Sequence, residues 1–380
     1  LLKPSIINTN KETTIFSVMS ALAAENNAVN LSQGFPDFPI DTALADALRK
    51  AVDTHNQYAP MPGYPRLRAL IADQVKTTYQ RDVNPESELT LTAGATQAIY
   101  TAVMATVSNG DEVIIFTPAY DCYEPPVIHA GGVVRHCPLN PEDFSVNWDL
   151  FRLLLSDRTR LVIFNTPHNP TGTTWSSSDM KTLEELVVQH NLYVISDEVY
   201  EYICFDPAGH QSAHHYPALR ERSFIISSFG KTFHITGWKT GYCVAPEPMT
   251  QAFRNVHQYL VFSVNSVAQR ALELYMEQGD RASGLADYYR TKRDRMAQHL
   301  SNSRFTLLDC MGTYFMLLDY SEISDESDID FAKRLTVEHK IATIPISVFS
   351  PKETTEKRVR LCFAKQDSTL DKAAEILCKI

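Results

Sequence analysis

Short, nearly continuous apolar runs recur along the chain between longer stretches of helical pattern, and this restricts the fold more than any other feature. The runs cover 89–92, 112–116, 161–164, 193–196, 224–227 and 242–245. Runs of this kind are strands buried on both faces, as parallel sheets require. Helix candidates lie between them, such as 95–108 and 178–190, the second opened by serines before Asp179. The alternation predicts an α/β domain with a mostly parallel sheet flanked by helices.

The order changes after about residue 250. Residues 251–279 and 287–301 read as long helices. A strand over 312–319, a helix near 329–340 and a strand over 358–363 follow. That mixture predicts a smaller α+β domain. The first forty residues, with Pro36 and Pro39, read as an arm rather than a core. The expected division is an N-terminal arm over 1–42 that packs with the small domain, a large domain over 43–278 and a small domain over 279–380. A chain of 380 residues is long enough for this arrangement.

Composition excludes several classes of function. Hydrophobic residues make up 44% and charged residues 21%, as in ordinary globular proteins. The net charge of −10, without a basic run, argues against nucleic acid as a partner. No stretch reaches the roughly 18 apolar residues of a membrane span, and the first thirty residues lack the apolar core of a signal peptide. The seven cysteines are dispersed, with no C-x-x-C spacing for a metal or redox site. No metal is expected, and an odd, scattered set suggests a reducing, cytoplasmic compartment.

Open α/β sheets bind ligands at the carboxyl ends of their strands. The segments that follow the runs carry a distinctive set of groups. They are Gly94-Ala95-Thr96, Pro118-Ala119-Tyr120, Asn165 to Gly172 with Asn169 inside, Asp197-Glu198-Val199-Tyr200, and Ser228-Phe229-Gly230-Lys231. The Gly-Lys-Thr at 230–232 is not a nucleotide P-loop, because that motif needs a glycine where Ile225 stands. No G-x-G-x-x-G is present either. Pyridoxal phosphate would account for the whole set. Its aldehyde needs an unprotonated lysine, its ring nitrogen a carboxylate, its ring an aromatic partner, and its phosphate a helix start with hydroxyls and a cation.

Asn169-Pro170-Thr171-Gly172, Asp197 to Tyr200 and Ser227 to Lys231 resemble the class I aminotransferases, fold type I of the pyridoxal phosphate enzymes, and the resemblance runs over nearly the entire chain. Residues 30–36, 56–60 and 358–365 are similar to the branch that holds glutamine transaminase K and the kynurenine and bacterial methionine aminotransferases. Residues 165–170, 227–232 and 256–260 bring it nearest the bacterial methionine enzymes.

The resemblance implies a role for each residue. Lys231 is the amine that joins the cofactor, with Lys239 as the competing lysine and otherwise a counter-charge for the phosphate. Asp197 pairs with the ring nitrogen. Glu198 is the rival carboxylate, pointing to the other face of its strand. Tyr200 and Asn169 hold the phenolic oxygen, and Tyr120 stacks on the ring, with Tyr123 as its rival. Ala95, Thr96 and Ser228 serve the phosphate, and Tyr58 reaches the phosphate of a neighbouring subunit in a homodimer. Arg360 takes the substrate carboxylate, with Arg358 two residues away as its rival. Gly34 adds a backbone N–H, and Phe16 and Phe262 line the side-chain pocket. The implied activity moves the amino group of an apolar or aromatic amino acid to a 2-oxo acid. Methionine is favoured, with phenylalanine, tyrosine, glutamine and kynurenine behind it. Two alternatives are a pyridoxal-phosphate-dependent cysteine-conjugate β-lyase and a cofactor-binding regulatory module.

Overall fold

The computed structural model describes residues 14–351 and 356–380. In chain order the strands are β1 (Val29–Asn30), β2 (Leu89–Thr92), β3 (Glu112–Thr117), β4 (Val133–Pro138), β5 (Thr159–Asn165), β6 (Tyr193–Asp197) and β7 (Ser223–Ser228). They continue as β8 (Gly241–Val244), β9 (Thr306–Leu307), β10 (Phe315–Asp319), β11 (Ile341–Ala342), β12 (Ile344–Pro345) and β13 (Arg358–Cys362).

Seven of them form one sheet in the order β2-β8-β7-β6-β5-β3-β4, with β8 antiparallel to both neighbours and every other pairing parallel. The six apolar runs all lie in this sheet. Its edge strand β4 went unread because Arg135 and His136 interrupt its apolar pattern and it is half exposed. The direction of travel reverses at the centre. From β3 the chain moves outward to β4, and from β5 it moves the other way to β6 and β7. Such a reversal leaves a crevice at the carboxyl ends of the two central strands.

The helix Ala95–Thr106 leaves β2 at that end of the sheet and buries Ala98, Ile99, Ala102 and Val103 against it. The helix Ser177–Gln189 begins with a capping box. Ser176 accepts from the Asp179 N–H, and Asp179 accepts from the Ser176 N–H.

The stretch 251–279 is two helices, Glu247–Leu260 and Ser266–Met276, not one. Phe262 sits at φ +65, which a helix excludes, and the Asn265 side chain caps the second helix through the Ala268 N–H at 2.8 Å.

A second, antiparallel sheet runs β12-β13-β10-β9 and sets Arg360 opposite Leu317. The N-terminal segment contributes more than an arm. β1 pairs with β11, and Met19 and Leu31 are fully buried in the largest core cluster. The Leu31 carbonyl accepts from the Cys362 N–H at 2.8 Å, which lays residues 32–35 alongside Arg360.

Candidate active site

A cavity of about 460 Å³ lies at the carboxyl ends of β3, β5, β6 and β7. Twelve of the residues named from sequence line it: Phe16, Gly34, Ala95, Thr96, Tyr120, Asn169, Asp197, Tyr200, Ser228, Lys231, Lys239 and Arg360.

Lys231 stands in a single helical turn, Phe229–Thr232, that Ser228 caps through the Gly230 N–H at 3.2 Å. Its Nζ donates to the Tyr314 hydroxyl at 3.0 Å. Burial, with Lys239 and Arg360 nearby, brings the amine down to about 8.

Asp197 ends β6 and is buried. Burial pushes its carboxyl up to about 6, against the Tyr123 hydroxyl that donates to it at 2.6 Å and the charge of Lys231. Tyr123 therefore braces Asp197, while Tyr120 lines the cavity beside it. The neighbouring Glu198 points to the other side of the sheet. There it accepts from His210 Nε2 at 2.8 Å, from Ser196 Oγ and from the Ala213 N–H. Burial works against its charge, but His210 holds it down at about 2.

The helix start at Ala95 has no side-chain cap, because its N-cap is Gly94 at φ +81. The first-turn N–H groups are thus left for a ligand. Lys239 lines the same corner, and among the described residues no carboxylate lies within ion-pair reach of it.

Arg360 is 2% exposed, yet it forms no ion pair among the described residues. Its Nη1 donates to Asn169 Oδ1 at 2.6 Å and its Nη2 to the Ser32 carbonyl at 3.2 Å, and its Nε has no partner. The Phe315 ring lies 3.8 Å from the guanidinium carbon. Burial lowers its affinity for the proton, to about 10. Arg358 is instead spent on Asp319, Glu356 and the Pro141 carbonyl.

Tyr58 and Phe262 are not brought to this cavity. Both are exposed, at 82% and 53%, and they meet edge to face at 5.3 Å on the outer surface. Phe262, expected to line the side-chain pocket, is turned outward by the break between the two helices. Tyr314 was missed by sequence reasoning, since no local pattern distinguishes a phenol just before a strand.

A family model for the class I and II aminotransferases matches residues 26–377, and the chain belongs to that family. It is 50% identical to the methionine aminotransferase of Escherichia coli, over 96% of this chain and 95% of that protein. It is 34% identical to the kynurenine–oxoglutarate transaminase of Dictyostelium discoideum, over 100% and 96%. Among solved structures, that of YbdL from Escherichia coli, for which a methionine aminotransferase function was identified, superimposes with a TM-score of 0.98. It has 49% identity and covers 100% of both chains. The N-succinyldiaminopimelate aminotransferase of Mycobacterium tuberculosis follows at 0.93, with 38% identity and 97% of both chains covered.

The family implies pyridoxal phosphate, and the cavity fits it. A buried carboxylate without a direct ion-pair partner among the described residues suits a protonated ring nitrogen. An uncapped helix start beside an unpaired lysine suits a phosphate. Among the described residues, no cluster of metal-ligating side chains is present and no helix is long and apolar enough to cross a membrane.

Proposed function

We propose that this aminotransferase takes the amino group of methionine, and of other apolar or aromatic amino acids, and passes it to a 2-oxo acid in two half-reactions. The observation that carries this reading is Arg360, a buried guanidinium that no carboxylate of the described residues pairs with directly, facing the same cavity as the Lys231 amine. Amino acid and oxo acid both bear a carboxylate, so one arginine serves both. Pyridoxal phosphate, when bound, supplies an aldehyde for the amino group and a ring that accepts electrons. The residues that would hold it are Asp197 at the ring nitrogen, Tyr200 and Asn169 at the phenolic oxygen, and Tyr120 against the ring. Ala95, Thr96, Ser228 and Lys239 would hold the phosphate.

Arg360 and Gly34 fix the α-carboxylate, and a guanidinium fork matches it in two parallel bonds. An amine brought down to about 8 keeps a useful fraction of free base near neutral pH. Lys231 Nζ therefore takes the proton from the substrate α-carbon and later returns one, as base and then acid.

The aromatic walls at Phe16, Tyr120 and Phe315 favour apolar side chains. Among the described residues the cations lining the cavity are Lys231, Lys239 and Arg360, which leaves no second arginine there for another substrate carboxylate. Aspartate is therefore a poor donor. The names of the Escherichia coli and Dictyostelium relatives support methionine and kynurenine.

A homodimer is part of this proposal, with Tyr58 completing the neighbouring site. The outward, strongly exposed Tyr58 and Phe262 support it, as does Tyr259 at 87% exposure. We also place the enzyme in the cytoplasm, in keeping with seven free cysteines.

The test is a panel of amino donors against 2-oxo acids with purified protein. Methionine should outrun aspartate. Pyruvate and ammonia released from a cysteine conjugate without any acceptor, and no amino transfer with one, would replace this reading by the lyase.

A further inference from the structure

We propose that Tyr314 positions the amine of Lys231 whenever that amine is free, and ties it to the wall of the cavity that receives the substrate carboxylate. The proposal rests on the reading of Lys231 as the amine that bears the cofactor.

Tyr314 is fully buried just before β10, and its ring lies 5.2 Å from that of Tyr200 at 86°. Its hydroxyl donates to the Gly34 carbonyl at 2.7 Å. A phenol has a single proton, so its oxygen is left to accept from Lys231 Nζ at 3.0 Å. Burial drives this phenol well above its ordinary titration range, so it stays protonated and is no base itself. These two hydrogen bonds run one way, from Nζ to Tyr314 to Gly34, with the Tyr200 hydroxyl as a further neighbour of the same phenol.

Two consequences follow. One N–H of the amine is tied back toward the small sheet, which leaves its lone pair for the cavity. Gly34 and Arg360 line the same cavity, so a substrate seated there shares a hydrogen-bonded chain with the base. The other charged or titratable groups around Nζ are Asp197, Lys239, Arg360, Cys362 and Tyr200. Among the described residues, none of them is recorded in a hydrogen bond with Nζ.

The experiment compares Tyr314→Phe with the parent enzyme. In the holoenzyme, kcat for methionine should fall about ten- to a hundredfold while KM stays within about threefold. In cofactor-free protein, the pH at which Lys231 is half-labelled by an acylating reagent should fall by about half a unit to one unit. The lost acceptor had favoured the protonated amine. A folded, cofactor-loaded Tyr314→Phe enzyme with unchanged kcat and unchanged labelling midpoint overturns the proposal. If that variant does not fold, 3-fluorotyrosine at position 314 keeps the shape and weakens the acceptor. A midpoint that stays in place there overturns it equally. Borohydride fixation of the cofactor, located by peptide mapping, separates the two failures: a label away from Lys231 sinks the proposed function itself.

Discussion

Asn169 Oδ1 accepts a 2.6 Å hydrogen bond from Arg360 Nη1, so a buried guanidinium is held by an amide where an ion pair would be the usual arrangement. An amide fixes the fork in direction without neutralising it. The charge stays available for a ligand, and the amide NH2 of Asn169 is left to act as a donor. On the proposed reading, a substrate carboxylate would complete the fork, and the buried setting would make that bond strong.

Arg360→Lys should therefore lower kcat/KM for methionine by about 30- to 1000-fold, mostly through KM. A lysine is a point charge and cannot form the paired bonds. Steady-state kinetics with donor and acceptor varied separately checks this. Both substrates must suffer together, since both use the same arginine.

Asp197 adds its own pH dependence to the cofactor-free protein. Its folded value of about 6 lies above the ordinary aspartate range, so the folded state holds a proton that the unfolded state has lost between about pH 4 and pH 6. Stability from this group is present below that window and declines as pH rises through it. Asp197→Asn should stabilise the cofactor-free protein at pH 7.5 by on the order of 2 kcal/mol, and the gain should vanish near pH 4. Denaturant titrations at both pH values measure it. The same variant should lose turnover when loaded.

Lys231 and Lys239 should separate cleanly. Lys231→Ala abolishes amino transfer. Lys239→Ala leaves the chemistry in place but weakens cofactor binding about tenfold or more, the worth of a charge-assisted bond. Fluorescence titration of cofactor into the stripped proteins distinguishes them, and full turnover by Lys231→Ala would end the assignment.

Gly34 leaves no room for a side chain. A Cβ there would stand 2.6 Å from Phe315 Cζ, on the ring that lies against Arg360. Gly34→Ala should raise KM for amino and oxo acids alike with little change in cofactor affinity, at a stability cost of about 1–3 kcal/mol. Equal loss of cofactor binding would show that the disturbance is not confined to the carboxylate wall.

Tyr58 tests the dimer. Tyr58→Ala and Lys231→Ala chains, each inactive or weak alone, should regain about one quarter of parental activity when mixed and allowed to exchange subunits. Half the dimers are then hybrid, and each hybrid has one intact site of two. An absence of recovery, with hybrids demonstrated by mass, removes the partner's tyrosine from the site.

The strands and the groups at their carboxyl ends were legible because both are local. An apolar run of four to seven residues marks a buried strand wherever it lies, and the residue after it faces the ligand crevice. The edge strand β4 escaped because a half-exposed strand needs no such run. The single long helix was misjudged because apolar spacing carries across a break that Phe262 and the Asn265 cap impose.

Residue order alone thus determined the α/β class and which groups end the strands around the cavity, since each depends on a side chain's place relative to its own strand. Only the folded chain decided what rests on distant partners. Tyr123 braces Asp197 across 74 residues, Arg360 is held by Asn169 across 191, and Tyr314 takes the Lys231 amine across 83. Burial of these groups, which moves their proton affinities and leaves Arg360 without a direct ion-pair partner among the described residues, belongs to packing between segments that no short stretch encodes.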